Sequence, residues 1–392
     1  MKFEFSTARR IVFGAGAAEQ IPALVAGYGS RAFVVAGSKT DRLQGLLDAI
    51  ASRGVALTIF NVAGEPTTET AKAAVTAARE AKADLVLAVG GGSVLDVGKV
   101  AAAMLQNGGD LFDYLEIVGK GRPLREPAAA LLAVPTTAGT GAEVTYNAVL
   151  GVPDRQVKVS VRSPLMLPRQ AIVDPLLTHS MPPELTAGTG LDALTQLIEA
   201  FVSNKANPLT DGVCREGMRR AARSLRPAFE DGANAQARED MSLASLFGGI
   251  ALANAKLGAV HGFAGPLGGM TSASHGVICG RLLPFVMQAN VQALQDLAAD
   301  SGENSDATAT LARFDEIGRI LTGKDTANAS DGVAWVGELC LALGLPGLRK
   351  HGLSTVDFPL VVERARKASS MQGNPVKLSD EALTAILTRA IG

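Results

Sequence analysis

His261 and His275 stand fourteen positions apart in HGFAGPLGGMTSASHG, and they are two of the four histidines in a chain of 392 residues. Two imidazoles so separated meet only if the chain folds back between them. If they meet, a metal ion is one occupant. If they do not, each is a hydrogen-bonded polar residue in a packed stretch. A second pair, Asp192 and Gln196, sits four positions apart in GLDALTQLIEAFVS, a spacing that places both on one helix face. One carboxylate, one amide oxygen and two imidazoles make a four-ligand set that suits Fe2+ or Zn2+. Spacing alone leaves both readings open.

Two loops carry a different chemistry. AVGGGSVLDVGK, residues 88–99, joins an apolar run to a helical pattern. Its glycines let the backbone approach an anion with no Cβ in the way. Ser93 with Asp96 has capping-box spacing and predicts a helix over 94–105, whose first N–H groups would hold a diphosphate. VPTTAGTGAEVT, residues 134–145, offers the hydroxyls of Thr136, Thr137, Thr140 and Thr145. GAGAAE, 14–19, lacks the third glycine of a dinucleotide fingerprint and reads as a turn, and no GxxxxGK[ST] supports a nucleotide triphosphatase.

The elements that must position these groups are of two kinds. Apolar runs at 31–37, 55–60, 84–90 and 130–135 alternate with helical patterns, which predicts a parallel sheet covered on both faces. Open sheets of this kind bind ligands at the carboxyl ends of their strands, where both loops fall. Past Asp174-Pro175 strand-like runs vanish, and long Ala/Leu-rich helical patterns begin at 182–203. The expectation is an α/β domain over 1–180 and an all-α domain over 181–392. FGGIALANAKLGAVHGFAGPLGG, 247–269, reads as one buried helix rather than a membrane span, because Asn254, Lys256 and His261 interrupt it. GPLGG would then reverse the chain before His275. Residues 300–309 and 322–332 read as loops or helix ends, His179 and His351 as residues without a role, and Trp335 as core.

The net charge is −1 with no basic block, which excludes the concentrated positive field that nucleic acid or a membrane surface requires. Three cysteines, Cys214, Cys279 and Cys340, form no CxxC pair and fit a reduced, cytoplasmic chain.

GGGSVLDVGK, PTTAGTGAEVT, GLDALTQLIEAFVS and VHGFAGPLGG…SHGV, in this order and spacing, resemble the iron-containing (group III) alcohol dehydrogenases. FGAG (13–16), IVDP (172–175) and NP (374–375) match as well, so the likeness covers nearly the whole chain. It implies the dehydroquinate synthase-like architecture: a Rossmann-like N-terminal domain that binds NAD(H) or NADP(H), and an all-α metal domain, commonly in a homodimer. It implies a dinucleotide diphosphate against Gly91, Gly92 and Ser93, with Asp96 nearby. Thr136, Thr137 and Thr140 would contact the cofactor, with Thr145 and Asn147 close to nicotinamide and substrate. Asp192, Gln196, His261 and His275 fall on the metal-ligand positions, and the two histidines carry the catalytic role. The implied reaction is reversible hydride transfer between an alcohol and an aldehyde or ketone.

Three positions depart from the pattern. Gln196 stands where the family usually has histidine. Gly265 stands where a second histidine often serves as proton relay. An acidic residue that ends the first strand in many relatives is here Gly37, followed by Ser38 and Lys39, so NADP(H) should be tolerated. Two rival readings follow. One is a metal-independent, maleylacetate-reductase-like keto-acid reductase using Lys158, Arg162 and His261. The other is a non-catalytic nucleotide-binding relative.

Overall fold

The computed structural model describes residues 2–155, 157–301 and 306–392. The chain divides into a helical unit (Met1–Phe5, Ala138–Thr140 and Ser180–Gly392) and a sheet unit (Ser6–Thr137 and Gly141–His179).

The sheet unit contains β1 (Ile11–Phe13), β2 (Arg31–Gly37), β3 (Ala56–Val62), β4 (Leu85–Gly90), β5 (Ala130–Pro135), β6 (Asn147–Val152), β7 (Val157–Arg162) and β8 (Gln170–Val173). Its helices are α1 (Ile21–Tyr28), α2 (Gln44–Ala51), α3 (Thr68–Glu80) and α4 (Gly92–Gln106). Six strands form one sheet in the order β1-β8-β5-β4-β2-β3, every pair parallel. Strand alternation explains the two cores on its faces. Phe33, Val35, Val86, Ala88, Leu131 and Ala133 pack under α3 and α4, while Val34, Leu85, Leu87, Leu132 and Val134 pack under α1 and α2. Each such Val, Leu or Phe, fully buried, contributes about 1.5–3 kcal/mol.

Chain order reverses between β2 and β4. These neighbours pair from Ala32–Leu85 to Ala36–Val89, so Gly37 and the glycine run after β4 emerge at adjacent strand ends. β5 pairs with β4 on the other side, bringing Pro135 opposite Gly90. The sequence reading missed β1, β8 and the antiparallel β6–β7 hairpin, which covers a third apolar layer against α3 and α4.

The helical unit contains α5 (Pro183–Val202), α6 (Pro208–Glu230), α7 (Ala235–Asn254), α8 (Ala259–Met270), α9 (His275–Ser301), α10 (Asp306–Thr322), α11 (Ala329–Ala342), α12 (Phe358–Lys367) and α13 (Asp380–Ala390). α5 is buried on every side from Thr186 to Val202 except at Thr189, as expected of a helix apolar all round. Trp335 packs against the same core.

Two expectations are corrected. Residues 247–269 are not one helix: α7 and α8 meet at 98° across a four-residue break. GPLGG does not reverse the chain but continues α8, and the reversal falls at 271–274. Residues 300–309, expected as a loop or helix ends, hold the end of α9 and the start of α10, with 302–305 outside the described residues. Among the described residues, α9 is the one single helix long and apolar enough to cross a membrane, and 61% of its apolar stretch is buried inside the protein, as for a core helix.

Candidate metal centre and dinucleotide loops

α5 presents Asp192, Gln196 and Glu199 at positions i, i+4 and i+7, a single stripe of the helix. α8 supplies His261 and α9 supplies His275 and Cys279. The structure brings these together. Asp192 Oδ1 lies 3.3 Å from His261 Nε2 and 3.5 Å from His275 Nε2. Cys279 Sγ lies 3.9 Å and 3.7 Å from the same two nitrogens. The four donor atoms fall within 4.8 Å of one another. His275 reaches this place because Gly276 crosses α5 backbone to backbone: a Cβ there would stand 2.2 Å from the Gly188 carbonyl oxygen.

Glu199, which the sequence reading did not single out, organises the centre. Its carboxylate accepts the His261 Nδ1 proton at 2.6 Å and the Val260 backbone N–H at 2.7 Å. One group therefore caps the start of α8 and fixes the orientation of the imidazole, with Nε2 toward Asp192. Asn374, from the NP motif, accepts the Ala259 N–H at 3.0 Å and completes the cap. The cluster's charges bias one another. Burial alone would lower His261, yet Cys279, Asp192 and Glu199 together raise it well above the ordinary histidine value. Burial alone would raise Asp192, yet the two imidazoles hold it below the usual aspartate range. Asp192 Oδ1 is buried and accepts no hydrogen bond. An orphaned carboxylate oxygen among soft and imidazole donors fits a divalent cation.

Gln196 is buried beside them. Its amide nitrogen faces the Thr140 carbonyl at 3.3 Å and Asp192 Oδ2 at 3.5 Å, and its oxygen lies against Gly248. Gly265 lies one turn beyond His261, with open space where a Cβ would stand.

In the sheet unit, α4 begins at Gly92 with Gly91 as its cap, two residues earlier than expected of a Ser93 cap. Ser93 is thus inside the first turn, and the expected Ser93–Asp96 capping box does not form. No side chain caps this helix end, which leaves its first amides available for an anion. Gly98 permits the close seat of α4, since a Cβ there would lie 2.7 Å from that of Ala88 on β4. Thr136 and Thr137 follow β5, with the Thr136 N–H donating to the Gly90 carbonyl. Asp96 and Thr145 hold the fold. Lys99, fully buried, donates to Asp96 Oδ1 (3.1 Å), Thr145 Oγ1 (2.8 Å) and the Asn147 carbonyl (2.8 Å), and Asp96 Oδ2 accepts the Val149 N–H. Lys158 and Arg162 are paired with Glu65 and Glu116.

Burial raises Glu143, near Lys99, to about 7. The native state therefore holds a proton that the unfolded chain releases above its ordinary value of 4.5, and stability falls as pH rises from there to about 7. Across that window the loss is roughly 3 kcal/mol. Glu143→Gln is expected to remove most of it, which urea unfolding of both proteins at acidic and alkaline pH checks.

The chain matches known proteins along nearly its whole length. Residues 8–175 match the iron-containing alcohol dehydrogenase family model, and residues 186–391 match that of the Fe-containing alcohol dehydrogenase family, C-terminal. A 1,3-propanediol dehydrogenase of Klebsiella pneumoniae is 36% identical over 355 residues, covering 90% of this chain and 88% of that one. The solved alcohol dehydrogenase from Oenococcus oeni superposes with a TM-score of 0.89 at 32% identity, over 99% of this chain and 100% of that one. Sulfoacetaldehyde reductase from Bifidobacterium kashiwanohense, solved in complex with NAD+, gives 0.85 at 26% identity over 100% and 99%. Neither the metal-independent reductase reading nor the non-catalytic one draws support from these relatives. The chain belongs to the iron-containing alcohol dehydrogenase family, and it is an NAD(P)-dependent, metal-using oxidoreductase that interconverts an alcohol and its carbonyl partner.

Proposed function

We propose that substrate is oxidised and reduced at the Asp192–His261–His275 cluster, with the dinucleotide diphosphate on the open end of α4. The observation that carries this reading is the buried Asp192 Oδ1, without a hydrogen-bond partner and facing both imidazoles. A bound divalent ion supplies Lewis acidity toward the substrate oxygen, and the nicotinamide carries the hydride. Asp192, His261 and His275 hold the ion, and Glu199 keeps His261 in the orientation that can do so. The Gly92 and Ser93 amides hold the diphosphate, while Thr136 and Thr137 contact the cofactor from β5. With no imidazole at Gly265, the proton released on alcohol oxidation passes to water. Metal content of untagged protein, with activity before and after chelation and metal return, tests the whole. Undiminished turnover of metal-free protein would overturn it.

Cofactor and substrate are proposals of the same kind. Ser38 and Lys39 are exposed at the end of β2, with no carboxylate against a 2′-phosphate, so NADPH is accepted. Ser38→Asp is expected to cut kcat/KM for NADPH by about tenfold or more, equivalent to 1.4 kcal/mol, while sparing NADH. Parallel kinetics with the two cofactors check this. A short primary alcohol is the proposed substrate class, and 1,3-propanediol, named for a relative 36% identical, is the first to assay. The proposed assembly is a homodimer and the proposed location the cytoplasm, in keeping with three unpaired cysteines.

A further inference from the structure

Resting on that reading of the centre, we propose that Cys279 is its fourth protein ligand, as a thiolate, and that this chain's metal is Zn2+ rather than Fe2+. Four of the six donor-to-donor distances around the centre match the edges of a coordination tetrahedron, and the other two lie within 4.8 Å. Bonds of about 2.0–2.2 Å to nitrogen and oxygen and about 2.3 Å to sulfur give N···O edges of about 3.4 Å and S···N edges of about 3.6 Å. The structure shows 3.3 and 3.5 Å for the former, and 3.9 and 3.7 Å for the latter. Cys279 is buried, one turn along α9 from His275, so the helix that carries one ligand aims the other into the same space. The other two thiols are elsewhere occupied: Cys340 donates to the Gly280 carbonyl at 3.2 Å, and Cys214 lies on α6, outside the cluster.

Gln196 fits the outer role. The Thr140 carbonyl accepts only from a donor, so the amide nitrogen faces it and Asp192, while the amide oxygen is turned to Gly248 and is buried without a hydrogen-bond partner. Gln196 then orients the Asp192 carboxylate rather than binding the ion. A thiolate in the set selects Zn2+ and Co2+ over the harder preference of Fe2+. As the sulfur–metal bond forms, the thiol gives its proton to solvent. With four protein ligands in place, a substrate oxygen would be taken up only by expansion to five ligands, as some catalytic zinc sites allow.

The test is spectroscopic and separates this inference from the reading beneath it. Chelator-treated protein is loaded with Co2+ alone. A sulfur-to-cobalt charge-transfer band in the near ultraviolet, beside visible d–d bands, is the expected result. Cys279→Ser should abolish the charge-transfer band, keep the d–d bands and weaken Zn2+ binding more than about 100-fold, beyond what loss of an outer partner causes. d–d bands without charge transfer in the unmodified protein would overturn the thiolate ligand and leave the metal centre standing. A charge-transfer band that survives in Cys279→Ser would likewise overturn it. No cobalt binding would overturn both. X-ray absorption of the zinc-loaded, unmodified protein decides the same point without any variant: one sulfur at about 2.3 Å is expected, and none refutes the assignment.

Discussion

Asp192→Asn is expected to empty the metal centre and lower kcat/KM by about three to four orders of magnitude. The asparagine keeps the shape of the side chain but removes the one anionic oxygen that faces both imidazoles. Lewis-acid stabilisation of a developing alkoxide is worth several kcal/mol, and each 1.36 kcal/mol is tenfold in rate. The glycine loop and α4 lie in the sheet unit, where Asp192 has no part, so NAD(H) affinity should be unchanged. Metal analysis, steady-state kinetics and quenching of NADH fluorescence on the same preparation check the three parts. Full metal retention would show that the ion is held elsewhere, and a collapse of cofactor binding would show that the variant is misfolded.

The second large effect is expected at Glu199, where one side chain serves two ends. Glu199→Ala strips the His261 Nδ1 partner and the Val260 N–H acceptor together. Loss of the first should weaken metal binding about 10- to 100-fold. Loss of the second leaves a buried helix start with a missing charge-assisted bond, at a cost of about 1.5–3 kcal/mol. Glu199→Gln should separate them. Its amide oxygen still accepts from Val260, so stability recovers in large part, while metal affinity stays low because the imidazole loses an anionic partner. Urea unfolding and Zn2+ titration of both variants provide the check. Equal stability loss in the two variants would refute the capping role.

The parts of the molecule that the sequence makes legible are those whose signal is local. β2 and β5 are continuous apolar runs because neighbours cover both faces, and their bounds are readable to the residue. The long apolar α5 is readable for the same reason. β7, VKVSVR, alternates cleanly, but its partner β6 carries the apolar Val149 on its outer side, which hides the alternation and with it the hairpin. The corner between α7 and α8 has no local signal stronger than Gly258. It is made by Glu199 and Asn374, residues distant in sequence that cap the new helix. The histidine pair was visible as a possibility, and the family likeness supplied its context. Glu199 and Cys279 each had a readable clue, since they continue helical stripes begun by Asp192 and His275. Such a stripe acquires meaning only once three helices are known to converge.

The backbone contact of Gly276 with Gly188 has a further consequence. It sets the position of His275 by helix packing, as Glu199 and Asn374 set that of His261, so the ion finds its donors already assembled. Folding and metallation are then separate events, unlike those of small domains that collapse only around their metal. The chain can be stripped and refilled without refolding. Metal-free and zinc-loaded preparations would share one fold and differ in turnover.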